Sequence, residues 1–310
     1  MKKRFLITTL GAGLLVALAS CGSDDYKLSV VAPQGAPAVS VASLAVNDTD
    51  SYSFIDANNI AEQFTANQKD IIIAPVNAGA KLYKANKSTY KLGAVVTWGN
   101  LYFATTRTDI LAIQDLSGKN VTLFGENTIN SSLAKYVLDL YNVTPNYEYL
   151  GSAANTKELL ATDDNAIVMT AEPALTAVTN QLKQANKTVT SYSVTGLYNE
   201  FSTEEFTQAA LFIKADTIDN HKSVVNEYLD KVKQSCDLVT SDVESVANSI
   251  ITLGNTGLPS ALPVLKTALP KCNIKFKTAA DSKAAIEKTA NIDLKQFGGA
   301  VPSDDFYYNK

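Results

Sequence analysis

Four short, nearly continuous apolar runs set the rhythm of the chain: KLSVVAP (27–33), DIIIAPVN (70–77), KNVTLFG (119–125) and NAIVMTAEP (165–173). They are rich in β-branched residues and do not alternate with polar ones, which suits strands buried on both faces of a parallel sheet. Each run passes through a turn of small or polar residues into a helical pattern: VSVASLA, AGAKLYKA, SSLAKYVLDLY and ALTAVTNQL. In the third of these, Leu133, Tyr136, Val137 and Leu140 recur at helical spacing and form one apolar face. The repeated unit is strand, turn, helix, and the fold class it predicts is α/β.

In open α/β sheets, ligands bind beyond the carboxyl ends of the strands, where helix N-termini present free N–H groups. That makes candidates of four turns: Gln34-Gly35-Ala36-Pro37, Val76-Asn77-Ala78-Gly79, Glu126 to Ser131, and Ala171-Glu172-Pro173. Gly and Ala let a backbone approach a ligand, while Asn, Thr, Ser and Gln hydrogen-bond it without a fixed charge. The same Asn, Ser and Thr are favoured helix caps, and Pro173 stands where first-turn prolines belong. Read singly, each turn is punctuation or site; several turns facing one another would make a site.

The amino-terminal MKKRFLITTLGAGLLVALASCGSDD has the layout of an export signal: three cations, an apolar run from Phe5 to Ala19, then small residues before Cys21. The run is shorter than the roughly 20 residues a spanning helix needs. Residues 1–20 are expected to be a signal, Cys21 the lipidated residue and 21–25 a solvated tether. The alternative is an ordinary secretory signal with an incidental cysteine. Diacylation plus amino-acylation of Cys21 would suffice for stable membrane anchoring, which predicts an extracytoplasmic location. Hydrophobic residues make up 46% and charged ones 19%, so a packed core is expected rather than a membrane bundle. Loss of Lys2, Lys3 and Arg4 takes Lys+Arg from 27 to 24 against Asp+Glu 31, a net charge of −7. That lacks the basic footprint nucleic acid requires. A chain of 310 residues exceeds one typical domain even without its leader, so two lobes are expected.

No catalytic set emerges. His221 is the sole histidine, too few for a metal site, and its place at a helix start fits a surface or capping role. There is no G-x-S-x-G elbow, P-loop or dinucleotide fingerprint, so no cofactor is implied. Cys236 shares helical spacing with Val225, Val232 and Val239 and should face inward, while Cys272 precedes the strand-like NIKFK. Outside the cell the two could form a disulfide or stay as buried free thiols. Phe306 and Tyr307 are expected to pin the C-terminus onto the body of the protein.

VVAPQGAPAVSVASLA, DIIIAPVNAGAKLY, YKLGAVVTWGNLYFATT and DLSGKNVTLFGENTINSSLAKYVLDLY, in that order, resemble the substrate-binding lipoproteins of ABC importers. The branch is the one associated with nitrate, sulfonates, taurine and thiamine-precursor pyrimidines. Leu18-Ala19-Ser20-Cys21 resembles the lipobox, and CNIKFKTAADSKAAIEK with FGGAVPSDDFYY is similar to the tail of low-GC Gram-positive members. The resemblance implies a two-lobe type II periplasmic-binding-protein fold with a central cleft and two crossover strands, LYFATT (101–106) outward and TQAALFIK (207–214) back. Lobe one would be 26–104 plus 212–310, and lobe two 105–211. It also implies a small-molecule solute, an ABC permease and ATPase as partners, a monomer, and no enzymatic activity.

Carried over by residue, the resemblance implies ligand contacts from Gln34, Gly35, Ala36, Asn77, Trp98, Gly99 and Asn100 of lobe one. Lobe two would add Asn127, Thr128, Asn130, Glu172 and Gln208. Trp98 could stack on a planar solute or belong to the core. Glu172 could face the solute or be a solvated carboxylate helped by the adjacent helix dipole. Arg4 and Arg107 are the only arginines, so a guanidinium clamp on an oxyanion would need Arg107, expected at the hinge. With Glu126 and Glu172 at the rim, the residues favour a neutral or cationic, heteroaromatic solute, although helix N-termini alone can hold a sulfonate. An enzyme on the same fold would need a reactive histidine or an acid–base pair in the cleft; a transporter-independent sensor would need neither.

Overall fold

The computed structural model describes residues 25–310; the signal segment, Cys21 and most of the tether lie outside the described residues. The chain opens with β1 (Val30–Pro33), the short helices α1 (Ala36–Val39) and α2 (Ala42–Ala45), β2 (Tyr52–Ile55) and α3 (Ile60–Ala66). It continues through β3 (Ile71–Pro75), α4 (Val76–Lys84) and β4 (Lys91–Thr97). A second body follows: β5 (Leu101–Thr105), β6 (Asn120–Phe124), α5 (Ile129–Leu140), β7 (Asn146–Leu150) and α6 (Ala153–Thr162). It is completed by β8 (Ile167–Ala171), α7 (Ala174–Gln184), β9 (Thr190–Ser193) and α8 (Val194–Asn199). The chain then returns with β10 (Ala209–Ile213), α9 (Ala215–Asn220), α10 (Lys222–Ser241), α11 (Val243–Leu253), α12 (Leu262–Ala268), β11 (Ile274–Thr278) and α13 (Ala279–Ala290).

The strands form two sheets, ordered β11-β4-β10-β3-β1-β2 and β7-β6-β8-β5-β9. This is the expected α/β class in two lobes, but neither sheet is wholly parallel. β10 runs antiparallel to both β3 and β4, and β5 antiparallel to both β8 and β9. These are the strands by which the chain enters each lobe from the other, so each comes in against the direction of its neighbours. The sheets change between Thr97 and Leu101, earlier than the expected boundary at 104, because Leu101–Thr105 pairs only within the second sheet. The return likewise precedes Ala209, not Phe212, since Ala209 already pairs with Pro75 and Thr97. The crossovers are therefore the segments before LYFATT and AALFI.

The unbroken apolar runs are explained by burial on both faces. Ile71 and Ile73 pack in one cluster with Val225, Leu229 and Val232 of α10, while Ile72 and Ala74 pack in another with Phe64 and Phe212. Burying each isoleucine contributes roughly 1.5–3 kcal/mol. Gly79 of α4 lets the helix settle on the sheet: a Cβ there would stand 2.3 Å from the Phe212 ring. In the second lobe Val121 and Leu123 meet Leu133 and Val137 of α5, and Val168 meets Leu160 and Val178. Phe306, Tyr307 and Tyr308 are buried, and Tyr308 N–H donates to Leu92 O at 2.8 Å, so the C-terminus is pinned to lobe one as expected.

Both remaining cysteines are buried free thiols. Of the two possibilities left open by spacing, a Cys236–Cys272 disulfide is therefore not formed: Cys236 Sγ lies against Ser40 O, and Cys272 Sγ against Ala268 O. Burial pushes both thiols well above their usual range. Among the described residues no helix is long and apolar enough to cross a membrane.

Candidate functional site

The carboxyl ends of β1, β3 and β4 face those of β6 and β8, and the floor between them is built around Gln208. Val76 N–H donates to Gln208 O (3.1 Å) and Gln208 N–H to Thr97 O (3.0 Å), so its main chain is stitched between the ends of β3 and β4. That seats Gln208 on the lobe-one sheet and not in lobe two as expected, and its side chain reaches across the lobes, with Nε2 donating to Asn130 Oδ1 at 3.5 Å. Asn77, in the first turn of α4 beside that stitch, carries a buried Oδ1 with no hydrogen-bond partner among the described residues. Asn77, Asn130 and Gln208 are all partly exposed. Gln208 and Asn130, both expected contacts, thus meet between the lobes, and Asn77 follows the residue whose N–H Gln208 accepts.

The turn LFGENTINSS is largely structural. Thr128 is the N-cap of α5, closing a capping box with Ser131, and its hydroxyl donates to Gly125 O at 2.7 Å. Its hydroxyl is therefore already used. Asn127 sits in the left-handed region (φ 56°), which asparagine tolerates. It offers its carbonyl to Gln296 Nε2 of lobe one at 2.7 Å. One residue past the cap box, Ser132 Oγ donates to Asp293 Oδ2 at 2.7 Å, again across the lobes.

Glu172 is not a solvated carboxylate, one of the two roles expected of it; it is 2% exposed. Its two oxygens accept from Thr176 N–H (3.0 Å) and Thr176 Oγ1 (2.8 Å), capping α7. Lys271 of lobe one stands 4.0 Å away. Burial raises the Glu172 pKa, and the Thr176 hydrogen bonds and the Lys271 charge only partly offset this. Asn100 Nδ2 donates to Glu172 O at 2.6 Å. That bond fixes the carboxamide's orientation, because the reverse would set oxygen against oxygen, and leaves a buried Oδ1 without a partner among the described residues.

Trp98 belongs to the core. Its ring is 0% exposed, Nε1 donates to Lys275 O at 2.9 Å, and Lys277 Nζ covers the ring 4.4 Å from its centroid. A solute has no ring face to stack on. Gly99 (φ 87°) is required by a close approach, since a Cβ would fall 2.3 Å from Thr195 Oγ1. Gln34 is exposed but its amide donates to Asn255 O, and Gly35 N–H donates to Thr256 O; Ala36 is buried. The 255–257 loop therefore takes the Gln34 side-chain amide and the Gly35 N–H, two donors that the first turn seemed to offer. Arg107 is not at the hinge. It lies past Thr105, the end of β5 remote from the cleft, where Nε and Nη2 grip Asp109 at 2.8 and 2.6 Å and hold that carboxyl well below its usual range. Lys271, Asp293 and Gln296 were not foreseen; nothing in their local sequence links them to partners 99 to 169 positions away.

No protein-family model matches the chain, and no curated protein matches its sequence. Its fold is similar to solved structures. An ABC transporter structure from Parabacteroides distasonis superimposes with a TM-score of 0.76 at 18% identity, over 91% of this chain and 99% of that one. The periplasmic aliphatic sulphonate binding protein SsuA of Escherichia coli gives 0.67 at 15%, over 91% and 92%. The desulfurization enzyme DSZB gives 0.55 at 12%, over 90% and 97%. The fold is thus the two-lobe periplasmic-binding-protein fold.

Proposed function

We propose that the chain is the extracytoplasmic solute-binding component of an ABC importer, anchored through Cys21 and working as a monomer that delivers a small molecule to a permease and its ATPase. The observation that carries this reading is the contact of Gln208 of lobe one with Asn130 of lobe two, next to the Asn77 turn whose buried Oδ1 has no partner among the described residues, at the place where open α/β sheets bind ligands. A small polar molecule bridging those amides favours the closed arrangement, as differential binding requires. The two similar structures named as an ABC transporter and a sulphonate binding protein agree with it.

The residues around this surface favour a neutral, hydrogen-bonding solute over a sulfonate. Arg107 is committed to Asp109, Lys271 faces Glu172, and the starts of α5 and α7 are capped by Thr128 and Glu172. An enzyme of the DSZB-like kind would need chemistry in the cleft; the sole histidine, His221, stacks instead on Tyr26 with ring centroids 3.7 Å apart.

Thermal-shift measurement with a panel of neutral heteroaromatics, amides, sulfonates and nitrate tests the reading. A solute at ~100 times its dissociation constant adds about 2.7 kcal/mol of stability. A turnover product from any panel member would contradict it.

A further inference from the structure

We propose that Asp293 and Gln296 of lobe one form a latch on the N-terminal turn of α5 in lobe two, setting how far the cleft is closed before any solute arrives.

Two hydrogen bonds of 2.7 Å converge on that turn from one short segment of lobe one: Ser132 Oγ to Asp293 Oδ2, and Gln296 Nε2 to Asn127 O. The segment is rigid on its own side. Asp293 Oδ1 accepts from Lys295 N–H at 3.1 Å, and Phe297, at the end of the same turn, is buried in the lobe-one core. The α5 side is equally set, because the Thr128–Ser131 box fixes the turn and Asn127 directs its carbonyl outward from a left-handed conformation. The Asp293 carboxylate also lies at the positive end of a 12-residue helix, where an anion is favoured.

Burial distinguishes these contacts from hinge packing. Ser132, Asp293 and Gln296 are all partly exposed, so each rehydrates when the lobes part and no buried group is left unpaired. A contact of that kind is reversible and contributes modestly. It also touches the residues flanking Asn130 and so biases the cleft itself. The proposal needs only two lobes that move, and stands or falls apart from the identity or existence of the solute.

Spin labels at Lys87→Cys and Glu158→Cys, exposed positions of the two lobes, report the interlobe distance distribution of the full chain without added solute. Asp293→Ala/Gln296→Ala is expected to shift it to longer distances, lowering the closed-to-open ratio on the order of tenfold. Asp293→Asn, which keeps an acceptor for Ser132, should restore most of the short-distance population. Because Asp293 also caps its own turn, Ser132→Ala serves as the second variant and should open the cleft part-way with the lobe-one segment untouched. A merely structural role would lower the melting temperature and leave the distances alone. Unchanged distances in both Asp293→Ala/Gln296→Ala and Ser132→Ala would overturn the latch.

Discussion

Asn100 and Glu172 are bonded to each other twice at the base of the cleft: Asn100 Nδ2 donates to Glu172 O at 2.6 Å, and Glu172 N–H donates to Asn100 O at 2.9 Å. Both residues are nearly fully buried, so the pair ties the entrance of β5 to the exit of β8 with no water to replace a lost partner. Asn100→Ala would leave a buried carbonyl unpaired and should destabilise the fold by about 1–3 kcal/mol, read from the urea midpoint. An unchanged midpoint would show that the clasp contributes nothing.

The buried Glu172 carboxylate makes a pH prediction. Its folded pKa is raised above the unfolded value by burial, so between the two the native state holds a proton the unfolded state has lost. Stability is then fully present below the unfolded pKa and falls as pH rises through the folded one. Glu172→Gln carries no such dependence. Its stability relative to wild type should therefore improve as pH rises from about 4, the ordinary glutamate value, toward neutrality; urea denaturation across that range measures it, and a difference independent of pH would contradict it.

Trp98, the sole tryptophan, should emit as a buried indole and resist acrylamide until the protein is denatured. Trp98→Ala should cost about 3–5 kcal/mol, as for other large-to-small core changes. Ready quenching in the native state would contradict its placement.

Cys236 and Cys272 should be silent to a thiol reagent in the native protein and both titrate after denaturation without prior reduction. A disulfide would leave neither to react.

The sequence made some of this architecture plain and concealed the rest for definite reasons. The run IIIA declared a strand buried on both faces because every position was apolar, and Ile71 to Ala74 do divide between two helix layers. Asn77 and Asn130 could be singled out because each lies at a helix start, which local pattern marks, whereas Gln208 was named only through the family resemblance. Trp98 was ambiguous for the opposite reason: its burial depends on Lys275 and Lys277, some 180 residues away. Likewise Gln34 and Gly35 looked available until the 255–257 loop, distant in sequence, took their hydrogen bonds. The Ser132–Asp293 contact joins residues 161 positions apart, and only the packing of one lobe against the other brings them together.

On the proposed function, Asn77, Gln208 and Asn130 frame one solute between the lobes. Calorimetric titration of a solute that stabilises the wild-type chain, repeated with Asn77→Ala/Gln208→Ala, tests it most directly. The expected result is one solute per chain and an affinity at least tenfold weaker in the double variant, about 1.4 kcal/mol or more. Equal affinity in the two proteins, with the variant still folded, would place the solute elsewhere and contradict the account.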